Sequence, residues 1–441
     1  MRDLLPEEAA GFDRLFAVVL ARAARYGYPR IVTPIAEDRE VFLRSAGETS
    51  DTAGKEMYDV VLHGQSGLAL RPEGTAPVVR AYLEHALHHT PQPVRLFYWE
   101  PMFRGQRPQK LRWRQFWQWG LEVFGAAEPA ADVEVIEFTN GLLAEVGLSD
   151  FALKVNTVGD AASQKKVKAA LIEYFSRYRD DLDADCKVRL ETNVLRIFDC
   201  KNANDRRIAE GAPKILELIS DEDRAHFAAV TDGLERLGIR YEIDDRKVRG
   251  FDYYTRTVYE FILTDAEFTQ AGEIAVAGGG RYGDLVKTMG GPDVQGTGIA
   301  GGVDVLYFAL KQQGVKMDES VNADVYVLSG EPDDGADRIQ LATPLREAGF
   351  RVAVDYSKRT LDKQLESAIK HGAKVAVIRG TEESRGGKVI VRDLVAKEQR
   401  VTRLAAVVVE VGRHVPKRRK PRLIDEPGAA GETPFLTDPR D

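Results

Sequence analysis

With 441 residues, 44% hydrophobic and 30% charged, the chain has ordinary globular composition and length for about three domains. Its formal charge of −7 excludes a surface that coats nucleic acid wholesale, although local basic patches remain open to it. Two cysteines, Cys186 and Cys200, without CxxC spacing exclude a disulfide framework and point to a reducing cytoplasm.

Phe12, Leu15, Phe16, Val19, Leu20 and Ala23 recur at helical spacing and Gly27 stands at the C-cap, so the chain opens with a helix. No signal peptide precedes it, and no later apolar run reaches the roughly 18 residues of a membrane span. YPRIVTPI, at 28–35, is β-rich but broken by Pro34, which suits an edge or interface strand. Strand signals dominate 68–124 around one helix near 76–88. His85, His88 and His89 read as its solvated end, lacking a Cys or HExxH partner, so no metal site is expected.

FYWEPMFRGQRPQKLRWRQFWQWGLEVFG reads as a hairpin with a basic tip at 104–112, and 131–146 is helical again. Charge-rich helical sequence at about 165–245 reads as an insertion, after which strand and glycine signals resume over 248–302. This is the pattern of an α+β fold with an antiparallel sheet, here assigned to 1–315. In 322–412, ADVYVL, RVAVDY, KVAVIR and KVIVRD alternate with helical stretches, predicting a separate α/β domain. The remainder, 413–441, is rich in proline, glycine and charge and is expected to be disordered.

Several stretches carry chemistry. VRGFDYYTRTV (248–258) has Arg249, Tyr253 and Thr255 on one strand parity and Asp252, Tyr254 and Arg256 on the other, where a half-buried strand needs polar residues on only one. In the second hairpin arm, Arg112, Arg114, Gln118, Gly120 and Glu122 share one face, opposite Trp113, Trp117, Trp119, Leu121 and Val123. The polar parity then lines a cavity or solvent, and Gly120 leaves a gap that would admit a ligand. LRPEGTAPVVRAYLEH sets Glu73 just ahead of a helix, a position that serves helix capping and ligand binding equally well. AGGGRYGDLVKTMGGPD and QGTGIAGGVDVL match neither a Walker loop nor GxGxxG, leaving close backbone approach to a flat ligand as their reading.

Together these segments resemble the class II aminoacyl-tRNA synthetases, specifically the histidyl-tRNA synthetase family, over about residues 2–411. VRGFDYYTRTVYEF resembles the family's first histidine-specific signature and GGGRYGDLV the second. FRGQRPQKLRWRQFWQWGLEVFG is similar to class motif 2, YPRIVTPI to the dimer-forming motif 1, and TNVLRIFDCK to the start of the insertion domain. The resemblance implies a cytoplasmic homodimer that binds histidine, ATP with Mg2+, and tRNA through an anticodon-binding-like domain at 322–412. It implies attack of the histidine carboxylate on the ATP α-phosphorus, then aminoacyl transfer to tRNA. Negative charge builds on phosphate oxygens, which calls for fixed arginine forks.

By the same resemblance Arg249 and Arg104 match the arginines that grip the α-phosphate, Arg249 also holding the substrate carboxylate. Glu122 and Tyr254 match positions that bind the imidazole, with Tyr253 and Tyr282 as neighbouring wall. Glu73, Gly74, Thr75 and Gln118 belong with the amino and carboxylate groups of histidine. Arg104, Gln106 and Arg112 fall to ATP, the loop 107–110 to ATP phosphates and the tRNA acceptor end, and Lys358 and Arg359, in the anticodon-binding-like domain, to phosphate contacts.

The pattern departs in places. Val305 occupies the position of the motif 3 arginine that stacks on adenine, with Arg281 and Lys287 as candidate stand-ins. Gln106 replaces an acid, Gly283 and Asp284 are swapped, and MRDLLP opens without the usual leading segment, which a misplaced start codon explains as well as divergence does. A second reading follows from Val305: a catalytically impaired paralogue acting as histidine sensor or tRNA-binding regulator.

Overall fold

The computed structural model describes residues 1–417 apart from 47–55, 63, 108–110, 201, 247–252, 266–267, 269–272, 318–321, 332–334 and 381–385. Contacts divide the chain into two units, Met1–Glu319 and Ser320–Asp441. The first holds two sheets. β1 (Ala36–Asp38), β2 (Tyr58–Leu62) and β3 (Gln65–Leu70) form a small antiparallel sheet with β3 in the centre.

The larger sheet comprises β4 (Val94–Phe103), β5 (Gln115–Phe124), β6 (Phe151–Thr157), β7 (Glu242–Ile243), β8 (Thr255–Leu263), β9 (Ala275–Tyr282) and β10 (Gly296–Gly302). They lie in the order β4-β5-β10-β9-β8-β6-β7, antiparallel except for the short β6–β7 pair.

The β4–β5 hairpin follows from its alternating sequence. Trp119, Leu121 and Val123 are buried with Phe97 and Trp99, in one core with Leu15 and Val19 of helix Pro6–Arg25 and Phe138 and Leu142 of helix Pro129–Val146. Leu96, Tyr98, Met102 and Phe124 form another core with Val78, Val79 and Tyr82 of helix Thr75–Glu84.

Segment 28–35 is not a strand. Pro34 has no N–H to donate, and the run touches the sheet edge through one parallel bridge, Arg30 to Phe97, with Ile31 N–H on the Phe97 carbonyl at 2.8 Å. A buried ion pair holds it instead. Arg71 pairs with Glu100 and donates to the carbonyls of Thr33 (2.7 Å) and Pro101 (2.9 Å), while Glu100 accepts from Thr33 N–H at 2.9 Å.

The strand expected from 248 begins, among the described residues, only at Thr255. Its register shifts between Thr255 and Val258, and Arg256 takes φ +50°. Tyr253 and Tyr254 precede the strand and both line one cavity, and Arg249, the other half of the two-faced assignment, lies outside the described residues.

The helical insertion divides differently from expectation. Val167, Leu171, Phe175, Leu190 and Ile197 make a separate core that extends to Ile219. Helix Asp221–Arg236, within the predicted insertion, instead packs Phe227, Val230 and Leu234 into the main core. The reason is a polar node: Asp132 Oδ2, fully buried, meets His226 at 2.9 Å, Thr257 at 3.1 Å and Arg281 at 3.1 Å. Burial pushes the Asp132 carboxyl upward, but His226 and the Arg281 charge outweigh it and leave it below the usual range.

In the second unit β11 (Val325–Ser329), β12 (Val352–Val354) and β13 (Val375–Arg379) are parallel, as the βαβ rhythm predicts, with helices Ala336–Glu347 and Leu361–Lys370 between them. β14 (Lys388–Asp393) and β15 (Gln399–Arg403) add antiparallel. Its first residues past 412 are ordered, contrary to the expected tail: His414 Nδ1 lies 2.8 Å from Asp393 and Val415 is 2% exposed. Residues 418–441 lie outside the described residues.

Gly120 opens no space for a ligand. Tyr98 fills it, and a Cβ at Gly120 or Gly74 would come within 2.2 Å or 2.4 Å of that ring. Gly120→Ala is expected to cost about 1–3 kcal/mol by overpacking, read as a lower urea midpoint at unchanged m-value.

Candidate active site

A cavity of about 540 Å³ opens over the ends of β5, β9 and β10. Glu73, Thr75, Arg104, Gln106, Arg112, Gln118, Tyr253 and Tyr254, all singled out from sequence, line it. Arg249 and the loop tip 108–110 lie outside the described residues.

Glu122 and Tyr282 stand one side chain deeper. Thr75 Oγ1 donates to Glu122 Oε1 at 2.7 Å, and the Tyr282 hydroxyl donates to Oε2. Glu122 has no exposed surface, and burial pushes its carboxyl up to about 8 against these two hydrogen bonds. Its space is made by a neighbouring strand: a Cβ at Gly298 would sit 2.1 Å from Oε2. Gly280 likewise makes room for Tyr254, whose Cδ1 would be 2.9 Å from a Cβ there. The glycines of β9 and β10 therefore admit the protein's own side chains as well as baring Gly278 to the cavity. Tyr253 lies 4.7 Å from Tyr254 and 5.9 Å edge-on from Tyr282, so three tyrosines form one wall.

Glu73 fulfils both of its readings. Its carboxylate accepts from Thr75 N–H (2.7 Å) and Ala76 N–H (2.8 Å), which caps helix Thr75–Glu84 just past Gly74, and it lines the cavity. Burial raises its pKa, opposed by those N–H groups and by the charge of Arg104. Arg104 itself is aimed by Nε donation to the Pro72 carbonyl at 2.9 Å and by contact with the Phe116 ring at 5.2 Å. Gln106 donates to the Trp113 carbonyl at 3.2 Å.

Neither candidate stand-in for the motif 3 arginine serves. Arg281 is fully buried, spending its guanidinium on Asp132 and the Ala126 and Glu128 carbonyls, and exposed Lys287 pairs with Asp293 at 3.0 Å. Val305 does face the cavity. Beside it, Asp304 accepts from Trp117 N–H at 2.8 Å and from Arg2 at 2.9 Å, and Arg2 stacks on Trp113 at 4.5 Å. Arg196, from the 3-10 turn Val194–Asp199 of the helical module, also lines the cavity. Sequence reasoning missed Arg196 and Glu260, which line the cavity. TNVLRIFDCK marked the Arg196 turn, but only tertiary packing brings it to the cavity.

The sheet order, the β4–β5 hairpin with Arg104 at its mouth and the buried carboxylate behind Thr75 define the catalytic core of a class II aminoacyl-tRNA synthetase, followed by an α/β domain. Residues 1–306 match the family described as histidyl-tRNA synthetase, and residues 324–413 match the anticodon binding domain. A histidine–tRNA ligase of Geobacillus kaustophilus is 40% identical over 399 residues, covering 90% of this chain and 93% of that protein. One of Rhodospirillum rubrum is 41% identical over 406 residues, covering 92% and 95%. The crystal structure of apo S. aureus histidyl-tRNA synthetase superposes with TM-score 0.77 at 32% identity, covering 93% of this chain and 97% of that one. The chain belongs to the histidyl-tRNA synthetase family.

An unfolded glutamate ionises near 4.5 and Glu122 near 8, so the fold retains a proton through that window. Its contribution to stability is full below about 4.5 and is lost as pH rises through about 8. Glu122→Gln is expected to flatten this dependence in ligand-free unfolding titrations. Loss of one of its two buried hydrogen bonds should lower the unfolding free energy by about 0.5–1.5 kcal/mol, read as an earlier urea midpoint.

Proposed function

We propose that the chain is a histidine–tRNA ligase that forms histidyl-adenylate in this cavity and passes the aminoacyl group to tRNA. The carrying observation is one cavity that joins Arg104 on its wall to the buried chain Thr75–Glu122–Tyr282. Histidine enters with its imidazole against Tyr254 and towards Glu122, whose carboxyl the Thr75 and Tyr282 hydrogen bonds hold in place. Glu73 and Gln118 take the α-ammonium and orient the carboxylate.

ATP lies along Arg104, Gln106 and Arg112, with Mg2+ carried on its phosphates. The histidine carboxylate oxygen attacks the α-phosphorus, the bond to the bridging oxygen breaks, and pyrophosphate leaves. Arg104 from one side, and Arg249 by family resemblance from the other, neutralise the charge that grows on the α-phosphate. The 3′-terminal ribose hydroxyl of tRNA then attacks the carbonyl and releases AMP.

The second unit takes the anticodon arm. Lys358 and Arg359 are exposed there, Arg359 held by Asp355 at 3.2 Å. The sensor alternative raised by Val305 is disfavoured by 40% identity with a ligase across 90% of the chain and by the anticodon binding domain.

Histidine-dependent ATP–pyrophosphate exchange tests this directly. Exchange is expected in the native chain and a fall of about 10²- to 10³-fold in Arg104→Ala, the effect of removing one oxyanion donor. Histidine binding without exchange would overturn the ligase reading in favour of the sensor.

The subunit pairing rests on 28–35, where Val32 is 66% and Ile35 47% exposed beside Pro34, an apolar face on a segment held firmly by Arg71. Light scattering should give twice the 49.0 kDa of one chain, and Val32→Glu with Ile35→Glu should shift it towards 49.0 kDa.

A further inference from the structure

Away from the cavity, four side chains of the helical module converge: Asp183, Cys186, Cys200 and Asp205, with one donor atom from each within 4.8 Å of all the others. All but half-buried Asp183 are buried. The sequence pattern conceals the group because it pairs Asp183-x-x-Cys186 with Cys200-x4-Asp205, neither of which reads as a metal motif.

A bland account explains part of it. Asp183 caps helix Ala184–Thr192 by accepting from Cys186 N–H at 2.6 Å. It does not account for Asp205. That carboxylate has no exposed surface, receives the Asp183 N–H only at 3.3 Å, and otherwise meets the Cys186 and Cys200 thiols and the Asp183 carboxyl, with no cation paired to it among the described residues. A buried carboxylate so weakly satisfied is costly.

The geometry supplies a partner. Zinc at about 2.3 Å from sulfur and about 2.0–2.2 Å from oxygen requires tetrahedral ligand–ligand edges of roughly 3.3–3.8 Å. Cys200 Sγ lies 3.3 Å from Asp205 Oδ2 and 3.7 Å from Asp183 Oδ2. We propose that Asp183, Cys186, Cys200 and Asp205 bind one Zn2+ ion as a tetrahedral S2O2 site. On binding, each thiol releases its proton to solvent and its sulfur donates as thiolate. Sulfur donors favour zinc over magnesium or calcium.

The ion joins three segments of the module: the starts of helices Ala184–Thr192 and Ala203–Glu210, and the end of the turn Val194–Asp199. That turn carries Arg196 into the cavity, four residues before Cys200. The site thus makes Cys200 a positioning residue for Arg196, a consequence that rests on the proposed ligase reading, whereas metal binding itself does not.

The test uses the full chain. Elemental analysis after expression in zinc-supplemented medium should find one zinc per chain, lost in Cys186→Ser/Cys200→Ser. Cobalt(II) added to reduced, metal-stripped native chain should give intense tetrahedral d–d bands and thiolate-to-cobalt charge-transfer absorption. Chelation should lower the melting temperature of the native chain and leave that of the double variant unchanged. The proposal is overturned if the native chain takes up cobalt without a thiolate band, or if zinc content is the same in the double variant. The cobalt spectrum needs no variant, so a misfolded Cys→Ser protein does not blunt it.

Discussion

Removing the Glu122 carboxylate from water is the constraint around which the catalytic sheet is organised. An isolated buried carboxylate is costly enough that it neutralises or finds donors. Here Thr75 and Tyr282 supply donors from two different elements, and the proton is retained to about 8. Helix Thr75–Glu84 must begin where it does for Thr75 to reach, which is the position that Glu73 caps. Strand β10 must be bare at Gly298, because any Cβ would strike the carboxylate. Capping and strand composition thus trace to one buried group.

Rigidity for this arrangement comes from two other buried ionic nodes. Asp132 ties helix Pro129–Val146 to helix Asp221–Arg236, β8 and β9 through His226, Thr257 and Arg281. Arg71 and Glu100 tie segment 28–35 to β4 and the end of β3. Such pairs are weak evidence of net stability, since desolvation offsets attraction, yet they leave each element one position to occupy. A site that must hold two substrates and an in-line displacement gains from that restraint. Val305, which by resemblance alone stands at the motif 3 arginine position, faces the cavity. The wall beside it is built from Asp304, Arg2 and Trp113, with Arg196 reaching the same cavity from the module.

Legibility followed the range of the physics. The β4–β5 hairpin was readable because strand alternation is local: Trp119, Leu121 and Val123 went inward and Gln118 faced the cavity as their parity required. The opening helix and the βαβ rhythm of the second unit were readable for the same reason. In the described part of 248–258 the alternation does not carry through, because the strand starts at Thr255 with a register shift and a left-handed Arg256, and no composition announces a bulge. Gly120 misled because its neighbour across the ladder, Tyr98, is 22 positions away in the chain and fills the gap.

The sequence by itself determined the periodic elements, the α+β class, and, through long motifs, the family and many of the polar residues that line the cavity. Those properties depend on residue type and near-neighbour spacing, which a chain carries before it folds. Only the tertiary structure decided which side chain spends its charge on which partner. Arg281 is consumed by Asp132, Arg196 arrives from a distant turn, and two cysteines meet two aspartates in the helical module. Each outcome depends on distances between segments far apart in the chain, and those distances are set by how the cores pack.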